Sequence, residues 1–250
     1  MIRINNLSKS FNGHQVLKDI STVFEPGTTN LIIGQSGSGK TVLLKSIVGL
    51  HDIDEGEIWY DDILFNKLDF VSKKEIRKEI GMLFQGSALF DSLTVDQNVR
   101  FPLDMFTDKS PEEKIDRVAF CLNRVNIKNA NKLFPAELSG GMRKRVAIAR
   151  AISLNPKYLF CDEPNSGLDP ITAILIDALI KELTEEYNMT TIINTHDMNS
   201  VMEIGEKILF ISDGIKCWEG NKDEILNSNC ERLNDFVFAN SLAKKLRDSK

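Results

Sequence analysis

Apolar residues fall in two rhythms along this chain. Short runs at Asn30-Leu31-Ile32-Ile33, Ile80-Gly81-Met82-Leu83-Phe84, Tyr158-Leu159-Phe160-Cys161 and Thr191-Ile192-Ile193-Asn194-Thr195 have the length of strands. The run Tyr158–Cys161 is unbroken, as expected of a strand covered on both faces of a parallel sheet. Elsewhere the spacing is helical. After Pro170, the residues Ile171, Ile174, Leu175, Ala178 and Leu179 repeat at three and four, which predicts a helix through about Tyr187 with this stripe packed in the core. Pro111-Glu112-Glu113 opens a second helix to about Val125. Lys207 to Trp218 reads as a hairpin turning at Asp213-Gly214. Strands around Ile2–Ile4 and Ile58–Phe65 are expected early in the chain, with a turn at Asp61-Asp62 where Asp tolerates a left-handed backbone. A mostly helical insert is expected from about 87 to 154. A tail from about 231 to 250 carries the helical stripe Phe236, Ala239, Leu242, Ala243 and Leu246, which would fold back on its own domain or reach a neighbour. No internal repeat or low-complexity linker divides the chain, so one domain is expected.

One loop between a strand and a helix carries chemistry. Gly34-Gln35-Ser36-Gly37-Ser38-Gly39-Lys40-Thr41 fits the phosphate-binding pattern G-x-x-x-x-G-K-[ST], and it directly follows the run ending at Ile33. Its glycines let successive backbone N–H groups turn inward around phosphate oxygens, Lys40 reaches the outer phosphates, and the Thr41 hydroxyl is placed to ligate Mg²⁺. A helix from Lys40 to Leu50, with Val42 in its first turn, aims its N-terminal dipole at the anion.

Composition narrows the class. The 250 residues are 42% hydrophobic and 27% charged, enough to bury a sizeable core. No stretch reaches the length of an uncharged membrane span, and the segment Met1-Ile2-Arg3-Ile4-Asn5-Asn6 lacks the apolar centre of a signal peptide; a cytoplasmic location is expected. Cys121, Cys161, Cys217 and Cys230 show no C-x-x-C spacing, and His14, His51 and His196 are scattered, so neither zinc site nor disulfide framework is indicated. A formal charge of −5 argues against nucleic acid as partner, and the basic run Arg143-Lys144-Arg145 reads as a solvated helix face.

Downstream, Leu138-Ser139-Gly140-Gly141-Met142 precedes the helical segment Arg143 to Ala151. Ser139 is a good N-cap, and two glycines strip side chains from a helix N-terminus so that its amides can face a second anion. The motif resembles the signature of the ABC ATPases, with Met142 where that family usually has Gln. The resemblance runs from about Met1 to Gly220. It implies an α/β P-loop fold, a RecA-like core with an antiparallel β subdomain and an inserted helical subdomain. It also implies ATP and Mg²⁺ as cofactors, and a second copy of the chain closing head to tail over two ATPs, so that Ser139, Gly140 and Gly141 meet the partner's nucleotide.

The same resemblance assigns roles. At Cys161-Asp162-Glu163-Pro164, Asp162 would hold Mg²⁺ with Thr41, and Glu163 would orient the attacking water. Gln85 matches the glutamine that touches Mg²⁺ or water. His196 matches the histidine at the γ-phosphate and Glu163. Asp169, in Ser166-Gly167-Leu168-Asp169, is expected to communicate across the dimer. Phe11 stands where an aromatic ring stacks on adenine, with Val16 beside the ribose; an ordinary core position for Phe11 is the other reading. A cassette without spans implies a separate integral membrane permease, with the chain peripheral on the inner face of the cell membrane. Phe84 to Val99 lies where such permeases dock, Ala88-Leu89-Phe90 lining the groove or buried within the insert. This segment, with Leu138–Met142 and Asp169-Pro170-Ile171-Thr172, looks most like the ATPases of Mla-type phospholipid transport, which implies a lipid-carrier subunit among the partners. An ATPase of a polar-solute or amino-acid importer, and an ATP-gated clamp or regulatory module on a soluble partner, nucleic acid included, are the alternatives.

Overall fold

The computed structural model describes residues 1–238. Strands β1 (Ile2–Phe11) and β2 (His14–Phe24) form a hairpin and pair with β4 (Glu55–Tyr60) and the short β5 (Ile63–Leu64) in a four-stranded antiparallel sheet. The turn between β4 and β5 places Asp61 at φ +50°, the left-handed conformation expected there. The early strands are longer than their apolar patches suggested, because backbone pairing carries them through polar positions.

The second sheet is built around β3 (Thr28–Ile33), which leads into α1 (Lys40–Ile47). α2 (Phe70–Lys78) precedes β6 (Ile80–Leu83). Between β6 and β7 (Tyr158–Asp162) come the helices α3 (Val95–Phe106), α4 (Pro111–Arg124) and α5 (Gly140–Ala151). α6 (Pro170–Glu186), β8 (Thr190–Thr195), α7 (Met198–Ile204), the hairpin of β9 (Lys207–Ser212) and β10 (Ile215–Gly220), and α8 (Glu231–Val237) follow. Strand order is β10-β9-β3-β8-β7-β6, parallel except for β10. The parallel strands point their C-terminal ends to one edge, the place where open α/β sheets bind ligands. Side chains alternate across this sheet as a two-residue period demands: Leu31 and Ile33 enter one core with the helices α3 to α6, while Ile32 enters another with α1 and the antiparallel sheet.

α6 corrects one expectation. Ile171 is 74% exposed, Ile174 and Leu175 about half exposed, Ala178 exposed and Leu179 only partly covered; the core face is Ile176, Ile180 and Leu183. The helix is apolar on two sides, so helical spacing fits either stripe, and the sheet beneath selects one. Phe236 packs on Phe210 with ring centroids 5.5 Å apart, folding the start of the tail onto its own domain; Ala239, Leu242, Ala243 and Leu246 lie outside the described residues.

Candidate functional site

The phosphate-loop segment forms a tight arc between β3 and α1. Gly39 precedes α1 at φ +104°, and a Cβ there would come within 2.8 Å of Leu17 Cδ2, so this position requires glycine on both counts. Lys40 is 5% exposed and its Nζ donates to the Gly34 and Gln35 carbonyls, both at 2.9 Å. Burial pulls its pKa below the usual lysine value, opposed by the carboxylates of Glu163 and Asp162. The Ser38 hydroxyl is buried without a partner inside the loop. A buried donor left unsatisfied costs on the order of 1–3 kcal/mol, and together with the Lys40 ammonium it suits an anion seated in the arc. Gln35, Ser36 and Gly37 are exposed at the rim.

The ends of β7, β8 and β6 supply the other half. Asp162 pairs in register with Asn194. Thr41 Oγ1 donates to Asp162 Oδ1 at 3.3 Å; the Asn194 amide donates to Thr41 Oγ1 at 3.0 Å and to Asp162 Oδ1 at 2.5 Å. A hydroxyl and a carboxylate fixed side by side are the hard oxygen donors that Mg²⁺ takes alongside phosphate oxygens and water, and among the described residues no cluster of three or more His, Cys, Asp or Glu side chains competes with that arrangement. Glu163, one residue on, turns at φ +47°. Its carboxylate receives Gln85 Nε2 at 2.8 Å on Oε2 and faces His196 Nδ1 at 3.0 Å on Oε1. Both oxygens are thereby held in place, and Glu163 lines a cleft of about 690 Å³ together with Gln35, Ser36, Ser166 and His196. A carboxylate held this way can position a water against a bound phosphoryl group.

Ser139, Gly140, Gly141 and Asp169 gather elsewhere, around a cleft of about 520 Å³. Ser139 caps α5 by accepting from Met142 N–H at 3.2 Å. Asp169 caps α6, accepting from the Thr172 N–H at 3.0 Å and its hydroxyl at 2.6 Å, and these bonds hold its carboxyl pKa down. Phe11 is 39% exposed at the end of β1, edge-on to His51 at 5.3 Å with Lys9 Nζ 5.2 Å over its ring. That excludes the core reading and leaves a π-face open. Val16 and Val42 are half-buried, and the Val16 carbonyl abuts Gly214.

The structure adds residues that the sequence did not single out. Asn194 bridges Thr41 and Asp162, and its signal was an amide, a residue type depleted in strands, inside a strand otherwise made of Thr and Ile. Asn165 Nδ2 donates to Asp177 at 2.9 Å and to Ser200 Oγ at 2.8 Å, joining the loop after Glu163 to α6 and α7. The basic run is also corrected. Arg143 is exposed and Arg145 half-buried, but Lys144 is 4% exposed, because successive helix positions turn by about 100° and cannot share one face.

The ABC transporter family model matches residues 17–166. The methionine import ATP-binding protein MetN of Clostridioides difficile (strain 630) is 37% identical over 97% of this chain and 75% of its own length. The intermembrane phospholipid transport system ATP-binding protein MlaF of Haemophilus influenzae is 37% identical over 95% of this chain and 90% of its own. Among solved structures, the dimeric post-hydrolysis state of the cassette MJ0796 bound to ADP and Pi superposes with a TM-score of 0.81 at 35% identity, covering 89% of this chain and 99% of that one. CbiO1 of Clostridium perfringens gives 0.84 at 28% identity, over 98% of both chains. The phosphate loop, the carboxylates at the β7 end and these likenesses along nearly the whole chain meet in one conclusion: the chain belongs to the ABC transporter family, as an ATP-binding, Mg²⁺-dependent ATPase cassette.

Proposed function

We propose that this cassette drives a phospholipid permease of the Mla type from the inner face of the cell membrane, as a head-to-tail homodimer with two ATPs at its interface. In this reading, Gly34 to Gly39 and Lys40 hold the phosphates, with Val42 at the start of the following helix. Thr41, Asp162 and Gln85 would hold Mg²⁺, which would neutralise charge on the phosphates. Phe11 stacks on adenine beside Val16. Glu163 orients water, His196 keeps Glu163 in place, and the partner's Ser139-Gly140-Gly141, with Asp169, completes each site. The observation that carries the ATP-driven part is the Gln85–Glu163–His196 arrangement set beside Thr41 and Asp162. ATP binding then closes the dimer and hydrolysis resets it.

An apolar surface supports a membrane partner. Phe90 and Phe101 are both exposed, with ring centroids 4.6 Å apart, and Met105, one turn further along α3, is 59% exposed. Among the described residues no helix is long and apolar enough to cross a membrane. The lipid cargo, and a lipid-carrier subunit with it, rests on the likeness to MlaF, read in Phe84–Val99, Leu138–Met142 and Asp169–Thr172. The equal identity to MetN favours a second reading, an amino-acid importer.

Affinity capture of the chain from detergent-solubilised native membranes, with mass spectrometry of proteins and lipids, separates these readings. Recovery of a permease and a lipid-carrier subunit with phospholipid supports the first. A solute permease overturns the cargo, and exclusively soluble partners overturn the permease as well.

A further inference from the structure

Lys144 lies in α5 some five residues, or about 7 Å of helix rise, beyond Ser139. Its Nζ donates to the backbone carbonyl of Gln85 and, at 3.4 Å, to that of Glu163. A buried ammonium is costly unless its hydrogen bonds are met, and here they are met by the main chain of the two residues whose side chains bond each other at 2.8 Å. The Glu163 carbonyl also accepts from the Ser166 N–H at 3.2 Å, so the peptide after Glu163 is gripped from α5 and from the loop leading to Asp169. Both gripped segments are backbone-strained: Glu163 has φ +47°, Ser87 +65° and Ala88 +47°, conformations that persist only where surroundings enforce them. Arg150, further along α5, donates to the Ser87 and Ala88 carbonyls at 2.9 and 2.7 Å. One helix thus holds the main chain on either side of the water-positioning carboxylate.

The N-terminus of that helix is where the partner's nucleotide is proposed to sit, and its shaft touches the site of the chain's own nucleotide. We propose that Lys144 is a positioning residue that couples the two: engagement of the partner's ATP at Ser139-Gly140-Gly141 sets the α5 position, and Lys144 carries that position to the Gln85 and Glu163 backbones. This rests on the dimer reading given above. A shift of α5 by a fraction of an ångström displaces Nζ equally, and misplacing a catalytic group by about 1 Å costs on the order of 10²-fold in rate.

The test is a double-mutant cycle on the full chain, with steady-state ATPase assays and nucleotide binding measured for each protein. Lys144→Met should lower kcat on the order of 10- to 100-fold while KM for ATP moves less than about threefold, since no phosphate contact is lost. Lys144→Arg, which keeps the donors, should restore most of kcat. Combined with Ser139→Ala, Lys144→Met should cost clearly less than the product of the two single losses, because both interrupt one path. A kcat for Lys144→Met within twofold of the unmodified chain, or losses that multiply in full, would overturn the coupling. Should Lys144→Met fail to fold, Lys144→Gln, too short to reach both carbonyls, takes its place in the cycle. If Ser139→Ala alone leaves turnover unchanged, the dimer reading fails; if it lowers turnover and the Lys144 variants do not, only this inference does.

Discussion

Asp177 offers the sharpest quantitative test of how the loop after Glu163 is held. The residue is 3% exposed on the core side of α6; Oδ2 accepts from Asn165 at 2.9 Å, and Oδ1 is buried without a partner. Burial pushes its pKa from 3.8 up to about 6; the nearby Ser200 hydroxyl pulls the other way, the Asp197 carboxylate adds to the rise, the Asn165 amide opposes it, and Glu203 adds to it. Because the folded state binds this proton more tightly than the unfolded one, the group's contribution is fully favourable below about pH 4 and is lost as pH rises through about 6. The rise from 3.8 to about 6 corresponds to about 3 kcal/mol lost by pH 7.5. Asp177→Asn removes the titration and keeps an acceptor for Asn165, but it leaves an amide N–H₂ where Oδ1 has no partner, a cost of about 1 kcal/mol. The variant should therefore be more stable than the unmodified chain by about 2 kcal/mol at pH 7.5. Near pH 4 it should be slightly less stable. Urea unfolding followed by circular dichroism, at constant ionic strength between pH 4 and 8, reads this directly. A difference that does not grow with pH, or a variant that is less stable at pH 7.5, would refute the buried-carboxylate account.

Three further outcomes are expected. Glu163→Gln should bind ATP normally and turn it over 10²- to 10⁴-fold more slowly, in the range of a lost general base; near-normal turnover in an ATPase assay would remove Glu163 from its assigned role. Asn194→Val preserves the packing of β8 but deletes the bonds to Thr41 and Asp162. It should raise the Mg²⁺ concentration for half-maximal activity by about tenfold or more, the worth of one hydrogen bond to a charged group, and an unchanged Mg²⁺ titration would count against the bridge. Gly214→Ala places a Cβ 2.1 Å from the Val16 carbonyl at φ +74°, in a turn whose N–H bonds the Ser38 carbonyl at 3.1 Å. It should cost at least about 2 kcal/mol of stability and weaken nucleotide binding, whereas Gly37→Ala, with φ +81° but nothing within 4 Å, should cost about 1 kcal/mol. Equal losses in the two variants would show that backbone strain alone governs both turns.

Much of this molecule was written in local order. Gly34 to Thr41 follows a strand and opens a helix, Pro111 and Pro170 begin α4 and α6, Asp213-Gly214 turns a hairpin, and Asp61 takes a left-handed turn. Each follows from φ/ψ limits and capping within a few residues, which neighbours far along the chain do not alter. Placing β8 between β3 and β7 is a different matter: it brings Asn194 against Thr41, 153 residues away, and against Asp162, 32 away. Before that pairing exists, Asn194 is one of four polar residues in a six-residue strand whose apolar members are Ile192 and Ile193. Helix faces behave the same way. α6 carries apolar residues on two sides, and Arg143-Lys144-Arg145 offers three equivalent cations; periodicity fixes that these are helices but not their rotation about the axis. The rotation is set by which side chains fit the sheet and which buried charge finds carbonyl partners, and those partners are assembled only when the tertiary fold closes.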